Sequence, residues 1–226
     1  MRLFPQQLSI ALLAGTALGS AQALPVNWAD WTSGTAGVNG SAAGHFATSA
    51  GQVDISYSGE VAFLQTGSGG SYYIPSTPYV SALIDNPPPA AEMIALSRNT
   101  AKTLEFSQPV DNLFFAVVSL NGNGYRFDSD FEIVSTGCGY WGCGTLSKVD
   151  LGNGQFQLNG TGEPHGVIRF TGAVSSITWT SLTNEYWNGF TVGTFGVATP
   201  VPEPASYALM ALGLLGVGIA ARRRMR

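Results

Sequence analysis

The only two cysteines of the chain, Cys138 and Cys143, enclose the segment Gly-Tyr-Trp-Gly. Two thiols alone do not complete a metal site, and no histidine stands close by in the sequence. An exported chain matures in an oxidising compartment, where a local disulfide is the expected state. The disulfide would close a loop of six residues and stabilise the fold by about 2 kcal/mol. Free or redox-active thiols are the alternative.

Two aromatic residues, Tyr140 and Trp141, stand inside this cysteine loop. Flat aromatic rings held on a tight loop can stack on a sugar ring, because the C–H groups on one face of the sugar are apolar and can pack on the ring. The alternative is a hairpin tip that folds back onto the sheet, and the sequence favours this second interpretation.

Three acidic residues, Asp128, Asp130 and Glu132, occupy alternate positions. On a regular strand they would line one face, where carboxylates can bind a hard cation such as a structural calcium ion. The segment lacks the glycine and the terminal glutamate of an EF-hand loop, so a solvated polar face is the favoured interpretation and no cofactor is predicted. The acidic residues are also too numerous for the sequence to single out a glycosidase pair.

The two histidines, His45 and His165, both stand in glycine-containing segments. Neither belongs to a G-x-S-x-G or H-E-x-x-H motif, which would supply a nucleophile or a zinc site. We therefore predict two surface histidines without a catalytic role, and a protein that is not an enzyme.

The elements that must position these residues are short strands. Val53, Ile55 and Tyr57 alternate with Asp54 and Ser56, which is the period of a half-buried strand. The same alternation recurs at 104–106, 125–128, 131–133, 155–158 and 176–180, and a last run covers 190–197. Residues 113–120 are apolar on both faces and predict a central strand that is covered on both sides. Gly- and Asn-rich turns separate these segments.

This pattern predicts an all-β fold, a single antiparallel β-sandwich or jelly-roll-like domain over residues 24–197. The length fits one core and is too short for two typical domains. Residues 69–91 are rich in Gly, Ser and Pro and predict a long loop within the domain. Residues 92–97 fit a helical turn or a strand.

The N-terminal segment has the order of a secretory signal. Arg2 precedes an apolar stretch at 8–18, and Ala21-Gln22-Ala23 follows as an A-x-A cleavage site. We predict a signal peptide at 1–23, cleavage after Ala23 and export of the mature chain from Leu24 onward.

The C-terminal segment contains seventeen uncharged residues at 205–221. As a helix they would span about 25 Å, just short of the bilayer core. Arg222, Arg223, Arg224 and Arg226 follow directly, and such a basic cluster stays on the cytoplasmic side. The pattern predicts a transmembrane helix with a cytoplasmic tail at 222–226, and a domain that is held in the periplasm.

A stiff peptide, Val201-Pro202-Glu203-Pro204, precedes the predicted span within a linker at 198–204. The order of Pro-Glu-Pro, uncharged span and arginine cluster resembles the PEP-CTERM sorting signal of Gram-negative bacteria. This resemblance implies recognition by exosortase, a membrane transpeptidase, cleavage near the motif and transfer to the outer envelope or the exterior. A plain membrane anchor is the alternative.

The middle of the chain is also similar to the bodies of many PEP-CTERM proteins. The similarity lies in residues 103–110 (Thr-Leu-Glu-Phe-Ser-Gln-Pro-Val), 125–128 (Tyr-Arg-Phe-Asp) and 185–193 (Glu-Tyr-Trp-Asn-Gly-Phe-Thr-Val-Gly). It is looser than that of the tail, and it implies no activity.

Charge limits the partners of the domain. Residues 24–201 retain five basic and thirteen acidic residues, a net charge of −8, which excludes a typical nucleic-acid surface. We therefore expect a structural or matrix protein of the envelope that associates with exopolysaccharide. A lectin-like carbohydrate-binding module is the second hypothesis, and a secreted glycan-active enzyme is the third.

Overall fold

The computed structural model of the protein describes residues 23–198. These residues form fourteen strands and one 3-10 turn at Thr77–Tyr79, and no α-helix occurs among them. The strands are β1 (Asn27–Trp28), β2 (Asp30–Thr35), β3 (Gly37–Thr48), β4 (Gly51–Val61), β5 (Phe63–Thr66), β6 (Glu92–Leu96), β7 (Ala101–Val118), β8 (Gly124–Phe127), β9 (Glu132–Gly137), β10 (Gly144–Gly152), β11 (Gln155–Gly162), β12 (His165–Ser181), β13 (Asn188–Thr194) and β14 (Gly196–Val197).

All ladders between these strands are antiparallel, and they join into one hydrogen-bonded sheet. The main path runs β10-β11-β8-β12-β7-β13-β6-β5, while β4, β3 and β2 extend from the first half of β7. The prediction of an all-β, antiparallel domain is therefore confirmed. The predicted helical span at 205–221 lies outside the described residues.

The sheet bends along its two longest strands, β7 and β12. They pair along most of their length, with bulges beyond Phe170 and beyond Val174. The first half of β7 also pairs with β4, and its second half pairs with β13. The rings of Tyr57 in β4 and Phe190 in β13 are 5.7 Å apart, so the two halves of the sheet face each other. The two layers of a sandwich are thus joined into one sheet.

The central strand β7 is covered on both sides, as its apolar run predicts. Residues 113–118 are all fully buried, and alternate side chains enter two separate cores. Leu113, Phe115 and Val117 face the larger core between the two halves of the sheet, whereas Phe114, Ala116 and Val118 face the smaller core. Residues 69–91 cover the smaller core with Tyr73, Tyr79 and Ile84, so this long loop belongs to the domain.

The period-two alternation is confirmed at 53–57, 104–106, 125–128 and 176–180, whereas Phe156 and Gln157 are both half-buried and all of β13 is buried. Val53, Ile55 and Tyr57 are buried, and Asp54 and Ser56 are exposed. The segment that fitted either a helical turn or a strand is the buried strand β6. In the part of the chain that the structure describes, no helix has the length and apolar character needed to cross a bilayer.

Candidate functional site

The cysteine loop connects β9 to β10, and the disulfide between Cys138 and Cys143 closes it. The Cα atoms of the two cysteines are 3.9 Å apart. Across the loop, the N–H of Gly139 donates to the carbonyl of Gly142 at 2.8 Å. The predicted disulfide is present, and it makes the loop a short, closed platform for its two aromatic residues.

The platform rests on His165, the first residue of β12. A Cβ atom added to Gly139 would stand only 2.2 Å from Cγ of the imidazole, so the loop backbone lies directly on the ring. His165 is fully buried, and the prediction of a surface histidine is therefore wrong for this residue. Its Nδ1 atom lies 2.7 Å from the hydroxyl of Tyr79. Burial lowers the pKa of His165 to about 4, so the ring is neutral at physiological pH.

The second histidine, His45, is partly exposed in β3. Its Nε2 atom lies 3.7 Å from a carboxylate oxygen of Asp30. Among the described residues, no hydroxyl or thiol group hydrogen bonds to either side chain, so this pair lacks the nucleophile of a catalytic site.

Tyr140 and Trp141 remain half exposed, at 52% and 51%. Their rings pack against Tyr72 of the long loop, with centroids 5.1 and 6.4 Å away. Trp187, from the segment between β12 and β13, lies 5.9 Å from Trp141. The tip of the cysteine loop therefore packs against two other loops, and it still presents aromatic surface to solvent.

Beside these rings lies an open depression of about 280 Å³, which we call the aromatic cleft. Four loops supply its walls. Its lining consists of Ser119, Asn121, Trp141, Glu163, Glu185, Tyr186 and Trp187. Tyr186 is 93% exposed, so its aromatic ring lies in contact with solvent at the edge of the aromatic cleft. Such a combination of aromatic walls and a few polar groups is typical of ligand-binding sites.

Two carboxylates share the aromatic cleft. Glu163 accepts a hydrogen bond from the hydroxyl of Ser119, and Glu185 accepts one from the side-chain amide of Asn188. Asn188 in turn accepts from the buried hydroxyl of Tyr125, which ties Glu185 to the larger core. Burial raises the pKa of Glu185 to about 7; the charge of Glu163 adds to this shift, and the hydrogen bond from Asn188 opposes it.

The three carboxylates considered for a cation do not share a regular strand. Strand β8 ends at Phe127 and β9 begins at Glu132. Asp130 pairs with Lys148 and Glu132 pairs with Arg169. The remaining carboxylate, of Asp128, accepts from the backbone N–H of Thr178 at 3.2 Å. Between residues 23 and 198 no group of three or more His, Cys, Asp or Glu side chains is arranged to hold a metal ion.

Comparison with known protein families finds a match in the C-terminal segment. Residues 200–224 match the model of the PEP-CTERM protein-sorting motif. The chain carries a PEP-CTERM sorting motif. The match includes Pro202-Glu203-Pro204 and the arginines at 222–224, and it identifies an exported protein of the cell envelope that exosortase processes. No curated protein and no solved structure matches the chain.

Several predictions about the two ends of the chain stay predictions. Ala21 of the cleavage site, the span at 205–221 and Arg226 lie outside the described residues, and Ala23 is the first residue within them. Membrane anchoring before cleavage and the periplasmic position of the domain are likewise untested.

Sequence reasoning singled out Trp141 but missed the carboxylates and the second tryptophan that accompany it. Glu163 and Glu185 were two acids among thirteen, and each enters the aromatic cleft only through the pairing of distant strands. The sequence did contain a signal for this part of the site, Glu-Tyr-Trp at 185–187. It places an acid and two aromatic residues in a loop between two strands.

Proposed function

We propose that the protein is a cell-envelope component whose domain binds exopolysaccharide through the aromatic cleft. The observation that carries this proposal is the half-exposed Trp141, held by a disulfide-closed loop beside Trp187 and Tyr186. The matrix role and the lectin-like role expected from the sequence then become one function, since a matrix protein has to hold its polymer.

The chemistry of the aromatic cleft suits a pyranose ring. One face of the sugar can pack on an indole, which removes apolar surface of both partners from water. Its hydroxyl groups can then bond to the side chains of Asn121, Ser119 and the two glutamates. Because the disulfide and the contact with His165 fix the loop in advance, little conformational entropy is lost on binding.

The test is titration of the purified protein with a panel of bacterial exopolysaccharides. We expect Trp141→Ala to weaken binding by about tenfold or more, because truncating a central aromatic hot spot costs about 2 kcal/mol or more and about 1.4 kcal/mol is a factor of ten. Val149→Ala is the matched control, since Val149 is 44% exposed on β10 and is not part of the lining. Equal affinity of the two variants, or no binding to any polymer, would contradict the proposal.

Glycoside hydrolysis is a second candidate, and the pair of carboxylates in the aromatic cleft favours it. Glycosidases use a carboxylic acid of raised pKa to protonate the leaving oxygen and a second carboxylate as base or nucleophile. The pKa of Glu185 is about 7, and Glu163 lines the same cleft. Release of reducing ends from the bound polymer, lost by about a hundredfold or more in Glu185→Gln, would favour hydrolysis. Recovery of the polymer at unchanged length would exclude it.

A further inference from the structure

The described residues give the aromatic cleft charges of one sign. Within 23–198 its lining has two carboxylates, Glu163 and Glu185, and no lysine, arginine or histidine. A glycan that carried uronic acids would bring further negative charge against these groups, and like charges at close range disfavour binding. Charge complementarity therefore points to a ligand that is neutral or positively charged.

The carboxylates of the cleft also favour a positively charged ligand over a neutral one. Glu163 and Glu185 both line the aromatic cleft, so their carboxylates can accept from a ligand bound there. An ammonium group supplies three donors and a charge that compensates theirs, whereas a neutral hydroxyl or amide supplies donors without the charge. The rings of Trp141 and Trp187 add to the attraction, because a cation close to an indole face is stabilised by the ring quadrupole.

We infer that the aromatic cleft selects glycans with free amino groups, such as partly deacetylated amino-sugar polymers, over N-acetylated and uronic acid polymers. This inference rests on the proposed function and adds the chemical class of the ligand. Burial raises the pKa of Glu185 and the charge of Glu163 adds to the shift, so the two carboxylates repel each other when both are ionised. A bound ammonium group would relieve that repulsion.

The experiment compares three oligosaccharides of equal length by isothermal titration calorimetry with the full-length protein. The probes are oligomers of glucosamine, of N-acetylglucosamine and of galacturonic acid, at an ionic strength of about 0.15 M, where weak long-range attraction is screened. We expect the glucosamine oligomer to bind about tenfold tighter than either of the others, the factor that one charge-assisted hydrogen bond supplies.

The variants separate selection in the cleft from a general attraction of cations to an acidic protein. Glu163→Gln with Glu185→Gln should reduce the preference for the amine to about threefold or less. The matched control is Asp54→Asn with Glu105→Gln, two exposed acids outside the aromatic cleft, which also removes two carboxyl groups and should keep the full preference.

The outcomes distinguish this inference from the function on which it rests. If the N-acetylated oligomer binds as tightly as the amine and depends on Trp141, the aromatic cleft binds neutral sugars, so the inference fails and the proposed function stands. If both double variants lose the preference equally, the attraction is nonspecific and the inference fails. If no oligomer and no polymer binds, both fail.

Discussion

The backbone of Gly139 lies directly on the imidazole ring of His165. This contact joins the outermost loop of the proposed binding site to the first residue of β12, which is fully buried. His165 is fixed in turn by the hydroxyl of Tyr79 at 2.7 Å. The position of Trp141, two residues further along the loop, therefore depends on packing beneath the surface as well as on the disulfide.

The first prediction tests this contact. Gly139→Ala places a methyl group where the imidazole stands, and overpacking of this kind costs about 1–3 kcal/mol. We expect a lower melting temperature together with weaker glycan binding, measured by circular dichroism and by titration. Gly137→Ala is the control, because a Cβ at that position would meet its nearest atom, in Pro78, at an ordinary 3.7 Å. Equal melting temperatures and equal glycan affinities of the two variants would show that the contact with His165 does not hold the loop in position.

The second prediction concerns acid stability. The pKa of His165 is about 4 in the folded protein and about 6.5 in an unfolded chain. The unfolded state therefore binds a proton first, so stability is fully present above pH 6.5 and is lost as the pH falls towards 4. His165→Asn retains an oxygen that can accept from Tyr79 and removes this titration. Its melting temperature should fall less between pH 7 and pH 5 than that of the wild type.

The control for this pH series is Val149→Ala, which changes an exposed residue that does not titrate. Its melting temperature should follow the pH dependence of the wild type. A His165→Asn curve parallel to the wild type would contradict a buried neutral imidazole.

Local patterns predicted part of the strands, whereas the glycine-rich β2 and β3 and the exposed strand β10 were not predicted. The alternation at Val53, Ile55 and Tyr57 repeats every two residues, and the uninterrupted run at 113–118 has enough apolar side chains for two cores. Such signals depend on neighbours in the sequence, so they can be interpreted without a structure. The disulfide was predictable for the same reason, because the two cysteines are five residues apart.

The burial of His165 and the composition of the aromatic cleft were not predictable in this way. Tyr79 is 86 positions away from His165 in the sequence, and Glu185 reaches the aromatic cleft only because β13 pairs with β7. The glycines around His165 suggested a surface loop. One of them, Gly166, instead faces the carbonyl of Ser135, 2.2 Å from an added Cβ, and such a close approach between strands excludes any side chain.

The third prediction concerns the disulfide. Replacing Cys138 and Cys143 by serine removes a constraint on a loop of six residues, worth about 2 kcal/mol. For a domain of this size the melting temperature should fall by about 4–8 °C without loss of the β-sheet spectrum. Wild-type protein in reducing agent should melt at the same temperature as the variant. Two alkylatable thiols in the native protein would contradict the pairing.

The fourth prediction concerns Glu185. Its pKa is about 7 in the folded protein and about 4.3 in an unfolded chain, so ionisation favours unfolding. The resulting loss of stability is absent below pH 4.3, grows as the pH rises to 7 and is constant above it. Glu185→Gln should therefore become more stable relative to the wild type between pH 5 and pH 8. Val149→Ala, which removes no titratable group, should show no such trend, and a Glu185→Gln curve parallel to that of the wild type would contradict the raised pKa.

The last prediction concerns the sorting motif and follows from its sequence. Glu203 stands between two prolines that restrict the peptide to extended conformations, so its carboxylate is available for a charge-assisted contact with exosortase of about 1.5–3 kcal/mol. Glu203→Gln keeps the shape and removes the charge, and it should slow processing by about tenfold or more. An epitope tag placed after Arg226 and followed by membrane fractionation measures this as uncleaved protein in the inner membrane. Neutral residues at 222–224 are the comparison, because they should weaken orientation of the span instead. Wild-type protein that reaches the outer envelope with its tag still attached would mean that the tail is a plain anchor.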